Sequence, residues 1–442
     1  MGKRVCGWLA AVVTSLAVVP GLAHAANLSE VVRMSQLTAA DIQVLSASRN
    51  DARLISYRLR TPALVDDVDL FVILPTGYDE HPDRRYPVIY FQHGGFGKPQ
   101  DWLGDGVKGG QARELTEGLD AIAVIVPGGN GGWAADYDNF GRGGPPAWDT
   151  FNARQVVPWV DANFRTLADR GHRAILGLST GGHNSMHLSA AHPDLYSFAA
   201  SFSGATDIVS NPFVWIVIGL EAMADGQAFD APFGSRINDA PGWRAANAVD
   251  LAENYQAQRI WMSTGNGLPG WDYWTKEIFL IPDVVELAVN QMSGSLHSRL
   301  NKLGVEHSFV DYGPGGHNYN HWNESLRRVL PQMIASFENP PKPPSQVTFK
   351  SAELIYDIYG FRVVNDRPVR FGWTRLVNAD ASGFRFDGLN AASITTPALY
   401  RPGSTRRVTV GGLQRTMRAD PAGRLTIKVD PGAPGSVSVS IR

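Results

Sequence analysis

The chain has 442 residues, of which 44% are hydrophobic and 19% charged, enough to bury a large core in more than one domain. Its formal charge of −2 becomes −4 if an N-terminal leader carrying Lys3 and Arg4 is removed, which leaves no basic footprint for nucleic acid or anionic lipid. The only cysteine, Cys6, lies in that leader, so the mature chain is expected to lack disulfides, cysteine catalysis and thiolate metal sites.

Residues 1–25 read as a signal peptide. Lys3 and Arg4 precede an apolar run from Val5 to Leu22, and Ala23-His24-Ala25 supplies small residues for cleavage before Ala26. A membrane anchor fits less well, because the run is short and broken by Pro20 and Gly21. The mature protein is therefore expected to be exported to the cell envelope or medium, with no integral membrane segment.

A catalytic domain is expected over 26–338. After a polar stretch, Val68–Pro75, Val88–Phe91, Ala121–Pro127, Ala174–Gly177, Phe198–Phe202 and Arg259–Met262 carry the short apolar pattern of strands buried on both faces. Helix-compatible stretches such as Thr150 to Asn163 and His183 to Ala191 lie between them. This alternation predicts an α/β fold with a doubly wound, mostly parallel sheet, whose working residues sit in loops at the carboxyl ends of strands. Residues 339–345, Asn-Pro-Pro-Lys-Pro-Pro-Ser, read as a stiff linker. Beyond it, over 346–442, Arg362–Val364, Gly383–Phe386, Arg407–Val410, Leu425–Val429 and Val437–Ile441 are strand candidates of a small, sandwich-like all-β domain.

Gly177-Leu178-Ser179-Thr180-Gly181 follows one of these strands and opens a helix, the setting of a nucleophile elbow. The turn lifts a serine hydroxyl clear of the sheet, and it is so sharp that side chains at 177 and 181 would collide with the neighbouring strand and helix. A serine needs a base, a group that orients the base, and donors for the oxyanion. His317, in a glycine-rich loop after the apparent strand Ser308–Tyr312, is the preferred base. His321 is left as a supporting residue or an exposed one on the following helix. Thr180 N–H and Gly95 N–H, the latter in Gln92-His93-Gly94-Gly95-Phe96-Gly97, are the expected oxyanion donors, with Phe96 N–H the next choice for the second. For the acid, spacing leaves Asp272, Asp283 and Glu286 open. His183 and His187 are four apart but lack a third ligand, and read as helix-surface histidines. No nucleotide fingerprint or metal-ligand set is present, so no cofactor or metal is expected. Trp133, Trp148, Trp271 and Trp274 sit in loops that could reach a pocket.

Four segments together resemble the antigen 85 mycolyltransferase and esterase D branch of the α/β-hydrolases: the loop after Phe91, the elbow with Phe202-Ser203-Gly204, Trp261–Gly267, and Gly316–Leu326. The likeness spans Asp67 to Met333. It implies that the acid is a glutamate in an apolar helix after the Gly265-Asn266-Gly267 turn, which selects Glu286, and it supports His317, followed by Trp322. Antigen 85 proteins carry an aspartate and an arginine in the oxyanion loop for trehalose, and the matching positions here are His93 and Phe96. The expectation is a secreted serine esterase acting on an ester or acyl-lipid substrate. Alternatives are an acyltransferase of the mycolyltransferase type, and a non-catalytic envelope or carbohydrate-binding protein whose β domain contacts cell-wall glycan.

Overall fold

The computed structural model describes residues 28–104, 109–131, 133–138, 146–237, 240–268, 280–432 and 435–442, with 280–282 by backbone alone. The expected leader, Asp272, Trp271 and Trp274 lie outside the described residues.

The first part of the chain is built on a sheet of β1 (Gln43–Arg49), β2 (Leu54–Arg60), β3 (Val68–Ile73), β4 (Val88–Gln92), β5 (Ile122–Val126), β6 (Arg173–Leu178), β7 (Phe198–Phe202), β8 (Arg259–Thr264) and β9 (His307–Asp311). The spatial order is β1-β2-β3-β5-β4-β6-β7-β8-β9. Pairing is antiparallel from β1 to β5 and parallel from β5 to β9. The apolar runs become strands because both faces of the sheet are covered. Val88 and Tyr90 of β4 enter one core, together with Met186 and Leu188 of the helix Thr180–Ala191. Ile89 and Phe91 enter the opposite core, with Leu326, Val329, Leu330 and Met333 of the helix Tyr319–Glu338. This period of two against a covering helix is the doubly wound α/β-hydrolase arrangement predicted above.

Register brings the strand ends level. Gln92 pairs with Gly177, Leu178 with Phe202, Phe202 with Ser263, and Thr264 with Asp311. His93, Ser179, Ser203, Gly265 and Tyr312, each the first residue beyond its strand, therefore emerge along one rim, beside the point where strand order reverses around β4.

The polar stretch before Val68 also contains structure that its pattern conceals. β1 and β2 form an antiparallel edge, and β1 is exposed along its whole length, so no burial alternation marks it. After Glu338 an extended stretch leads to two antiparallel sheets. One orders Val347–Ser351, Thr374–Asp380, Gly383–Gly388, Gly435–Ile441, Thr405–Val410 and Leu413–Arg418. The other orders Ile355–Ile358, Phe361–Asn365, Ala392–Thr395 and Thr426–Val429. They enclose a shared core that includes Phe349, Phe386, Ile394 and Val439. Four of the five strand candidates fall within these strands, and the fifth, Leu425–Val429, overlaps Thr426–Val429 but begins one residue early.

The β sheets are docked by polar as well as apolar contacts. Arg370 is 4% exposed and donates to the carbonyls of Asp136 (2.7 Å) and Tyr137 (3.0 Å). Asn254 bonds both backbone groups of Lys350, and Arg154 pairs with Asp357. Among the described residues no helix is long and apolar enough to cross a membrane.

Candidate active site

Ser179 sits between β6 and its helix with φ +54° and ψ −122°, a conformation that costs an L residue about 1–3 kcal/mol and is held by the surrounding packing. Its N–H donates to Phe202 O at 2.9 Å, tying the turn to β7. The flanking glycines are required by proximity. A Cβ on Gly177 would lie 2.2 Å from Gly181 O, and one on Gly181 would lie 2.3 Å from Gln92 O.

Glu286 lies on the buried face of the helix Leu280–Leu303, in line with Val289, Ser293, Leu296 and Leu300, and is 0% exposed. A carboxylate there must be satisfied by protein groups. Its Oε2 accepts a hydrogen bond from His317 Nδ1 at 2.7 Å. Its Oε1 faces four donors: Gly265 N–H at 2.6 Å, Ser203 Oγ at 2.9 Å, Thr264 Oγ1 at 3.1 Å and Tyr312 OH at 3.2 Å. Burial alone would raise this carboxyl, but the bond and charge of His317, with Gly265 and Ser203, hold it below the ordinary glutamate range. Trp322 closes the corner. Its ring meets His317 edge-on with centroids 4.9 Å apart, and its indole N–H donates to Ser203 Oγ at 3.1 Å. Asp283, one turn before Glu286, is instead at the helix start, where its carbonyl packs against Gly267.

Of the two readings left for His321, the exposed one is excluded, and the residue meets Glu286 through Tyr312. His321 is buried and stacks on Tyr312, with centroids 4.6 Å apart and planes 7° from parallel. His183 and His187 are likewise buried rather than on a helix surface, because the nucleophile helix is packed on all sides. His183 Nδ1 meets Ala205 O at 3.0 Å and His187 faces Asp149.

The loop after β4 supplies the opposite corner. His93 Nδ1 and Gly97 N–H both converge on Gly94 O, at 2.8 and 3.1 Å. They fix the plane of the Gly94–Gly95 peptide and turn Gly95 N–H the other way. Gly94 abuts the serine, since a Cβ on it would lie 3.4 Å from Ser179 Cβ. Phe96, at φ +53°, spends its N–H on Asn130 O at 2.5 Å, which removes it as an oxyanion donor. Gly95 and Thr180 are in contact, because a Cβ on Gly95 would lie 2.8 Å from Thr180 Oγ1.

Sequence reasoning assigned no role to two residues here. Ser203, at φ +48°, links Glu286 to Trp322. Glu221, from the helix Pro212–Ala224, reaches the back of the loop after β4, where its Oε2 accepts the Trp133 indole N–H at 2.6 Å. Its only sequence signal is a lone charge in an otherwise apolar helix, Pro-Phe-Val-Trp-Ile-Val-Ile-Gly-Leu-Glu-Ala-Met-Ala. Trp133 and Trp148 are buried, Trp148 against Phe151 in the core, so neither lines an open pocket.

Residues 61–333 match the Esterase family model, described as "Putative esterase". Esterase Rv1288 of Mycobacterium tuberculosis is 30% identical over 279 residues, which cover 62% of this chain and 58% of that protein. The chain thus spans under two thirds of the length of that relative. Diacylglycerol acyltransferase/mycolyltransferase Ag85B of Mycobacterium leprae is 26% identical over 286 residues, covering 59% of this chain and 84% of its own. The crystal structure of Mycobacterium tuberculosis MPT51 aligns with a TM-score of 0.48 at 19% identity, over 63% of this chain and 97% of that one. With the family model covering more than half of its length, the chain belongs to this esterase family of the α/β-hydrolases, and it is similar to the antigen 85 proteins.

Proposed function

We propose that the chain is an exported serine esterase that cleaves a carboxylic ester through an acyl-enzyme on Ser179. The observation that carries this reading is the 2.7 Å bond from His317 Nδ1 to the buried Glu286, on the same rim as the strained serine turn. Ser179 Oγ attacks the ester carbonyl and His317 Nε2 takes its proton. Glu286 fixes the imidazole tautomer and stabilises the imidazolium. Gly95 and Thr180 N–H groups receive the oxyanion, and His317 returns the proton to the departing alcohol. Water then repeats the sequence to release the acid. Export is part of this reading through the basic, apolar and small-residue pattern of 1–25.

Transfer to an alcohol uses the same acyl-enzyme, and the likeness to Ag85B favours it as the second reading. Against a sugar acceptor stands the chemistry of the oxyanion loop. His93 is buried on its own loop, and Phe96, 59% exposed, offers an apolar face. The C-terminal sheets enter as a brace rather than a glycan-binding module, since Arg370 anchors the loop that carries Trp133.

Treating the purified protein with a fluorophosphonate and mapping the adduct tests the proposal. A label on Ser179, lost in Ser179→Ala and slowed in His317→Ala, is expected; no label, or one elsewhere, contradicts it. Hydrolysis of short- and long-chain p-nitrophenyl esters, with and without a sugar alcohol, separates esterase from transferase.

A further inference from the structure

The oxyanion corner contains a carboxyl for which the acyl-transfer steps have no use. Glu221 is 2% exposed. Its Oε1 lies 3.5 Å from Thr180 Oγ1 and fills the space that a side chain on Gly95 would need, since a Cβ built there would fall 1.7 Å from it. A Cβ on Gly131 would likewise fall 2.3 Å from Glu221 Cβ, so the loop after β5 closes over the same side chain. One carboxyl oxygen thus touches both residues whose N–H groups are assigned to the oxyanion. Resting on the serine mechanism above, we propose that Glu221 is a positioning residue that works as a neutral acid, bracing Gly95 against Thr180, and that its ionisation disables the oxyanion hole.

The surroundings favour the neutral form. On its own helix Glu221 faces Asp225, one turn on, whose carboxylate is taken up by Asn130 N–H, Asn130 Nδ2 and Gly131 N–H. From the loop after β5 come Trp133 and Tyr137, the latter a buried phenol bonded to Gly131 O. The nucleophile helix contributes Thr180 and, edge-on to Trp133 at 4.9 Å, His183, which burial keeps uncharged at neutral pH. The loop after β4 contributes Gly95, with His93 also lowered by burial. Among the described residues no lysine or arginine acts on Glu221. Burial pushes its carboxyl up to about 8, with the Trp133 and Thr180 bonds offsetting part of the effect and the charge of Asp225 adding to it. A neutral acid packs against the two donors without a net charge. Once its proton passes to solvent, the carboxylate opposes the negative charge that develops on the substrate oxygen.

The sign follows directly. Below the folded value Glu221 is protonated and places no charge beside the oxyanion; as pH rises through about 8 it ionises and turnover falls. The test is the pH dependence of kcat and KM for a p-nitrophenyl ester in wild type, Glu221→Gln and Glu221→Ala, with circular dichroism to show that each stays folded. Wild type is expected to lose kcat with a one-proton midpoint near 8. Glu221→Gln, which keeps the shape without the ionisation, should hold activity within about threefold at neutral pH and lose the alkaline limb. Glu221→Ala should fall by roughly tenfold or more in kcat at every pH, with KM little changed, on the scale of a damaged oxyanion donor. An alkaline limb that persists in Glu221→Gln, or equal losses in the two variants, overturns the inference while a wild type labelled at Ser179 leaves the serine mechanism standing. A wild type that takes no fluorophosphonate removes both.

Discussion

Two buried glutamates face the same rim and are held in opposite states. Glu286 meets His317 and four further donors, and its carboxyl is lowered despite full burial. Glu221 meets one indole N–H and a distant threonine hydroxyl beside a second carboxylate, and its carboxyl is raised. Burial is common to both, so the supply of donors and positive charge decides which one ionises. In the proposed mechanism one corner thereby keeps an anion to stabilise an imidazolium, and the other avoids an anion where the oxyanion would form.

The sharpest way to break this comparison is to neutralise the wrong carboxyl. Glu286→Gln should lower kcat by roughly 10³–10⁴-fold, because the amide no longer fixes the tautomer or balances the imidazolium. Asp272→Asn and Asp283→Asn should leave turnover nearly intact, and an equal loss in either would reassign the acid. Next in size, Gly95→Ala drives a methyl into the Glu221 carboxyl and should reduce kcat by about 10²-fold with little change in the binding of an unreactive substrate analogue.

Arg370→Met probes whether the β sheets support only the oxyanion corner. It strips the carbonyls of Asp136 and Tyr137 of their donor, and calorimetry should register a loss of roughly 2–4 kcal/mol. The midpoint of the alkaline limb should shift, while the Glu286→Gln defect should stay the same size in that background. The smallest effect is expected from Trp133→Phe. The indole bond lowers the Glu221 carboxyl, so losing it should move the alkaline midpoint upward, by less than about one pH unit, in a titration of kcat.

The parts of this molecule legible in its sequence are those whose constraint leaves a mark on the local residue pattern. The runs that became β4 to β8 are largely apolar because both faces of the sheet are covered, and Gly177 and Gly181 stand where they do because backbone crosses within ångströms of them. β1 escaped notice because an exposed edge imposes no alternation. Spacing alone left Asp272, Asp283 and Glu286 level, since the choice depends on a helix face and on a histidine 31 residues away. The contacts of Ser203 and Glu221 were out of reach for the same reason. Their partners lie 83 and 88 residues distant in the chain, and a serine or glutamate carries no local mark of such a contact.

The contrast between the two carboxyls can be read directly by infrared titration of the folded protein from pH 6 to 10, comparing wild type with Glu221→Gln and Glu286→Gln. The expected result is a neutral-carboxyl band that disappears with a midpoint near 8, is missing from Glu221→Gln and survives in Glu286→Gln. A band that vanishes with Glu286→Gln, or no difference between wild type and Glu221→Gln, would contradict it.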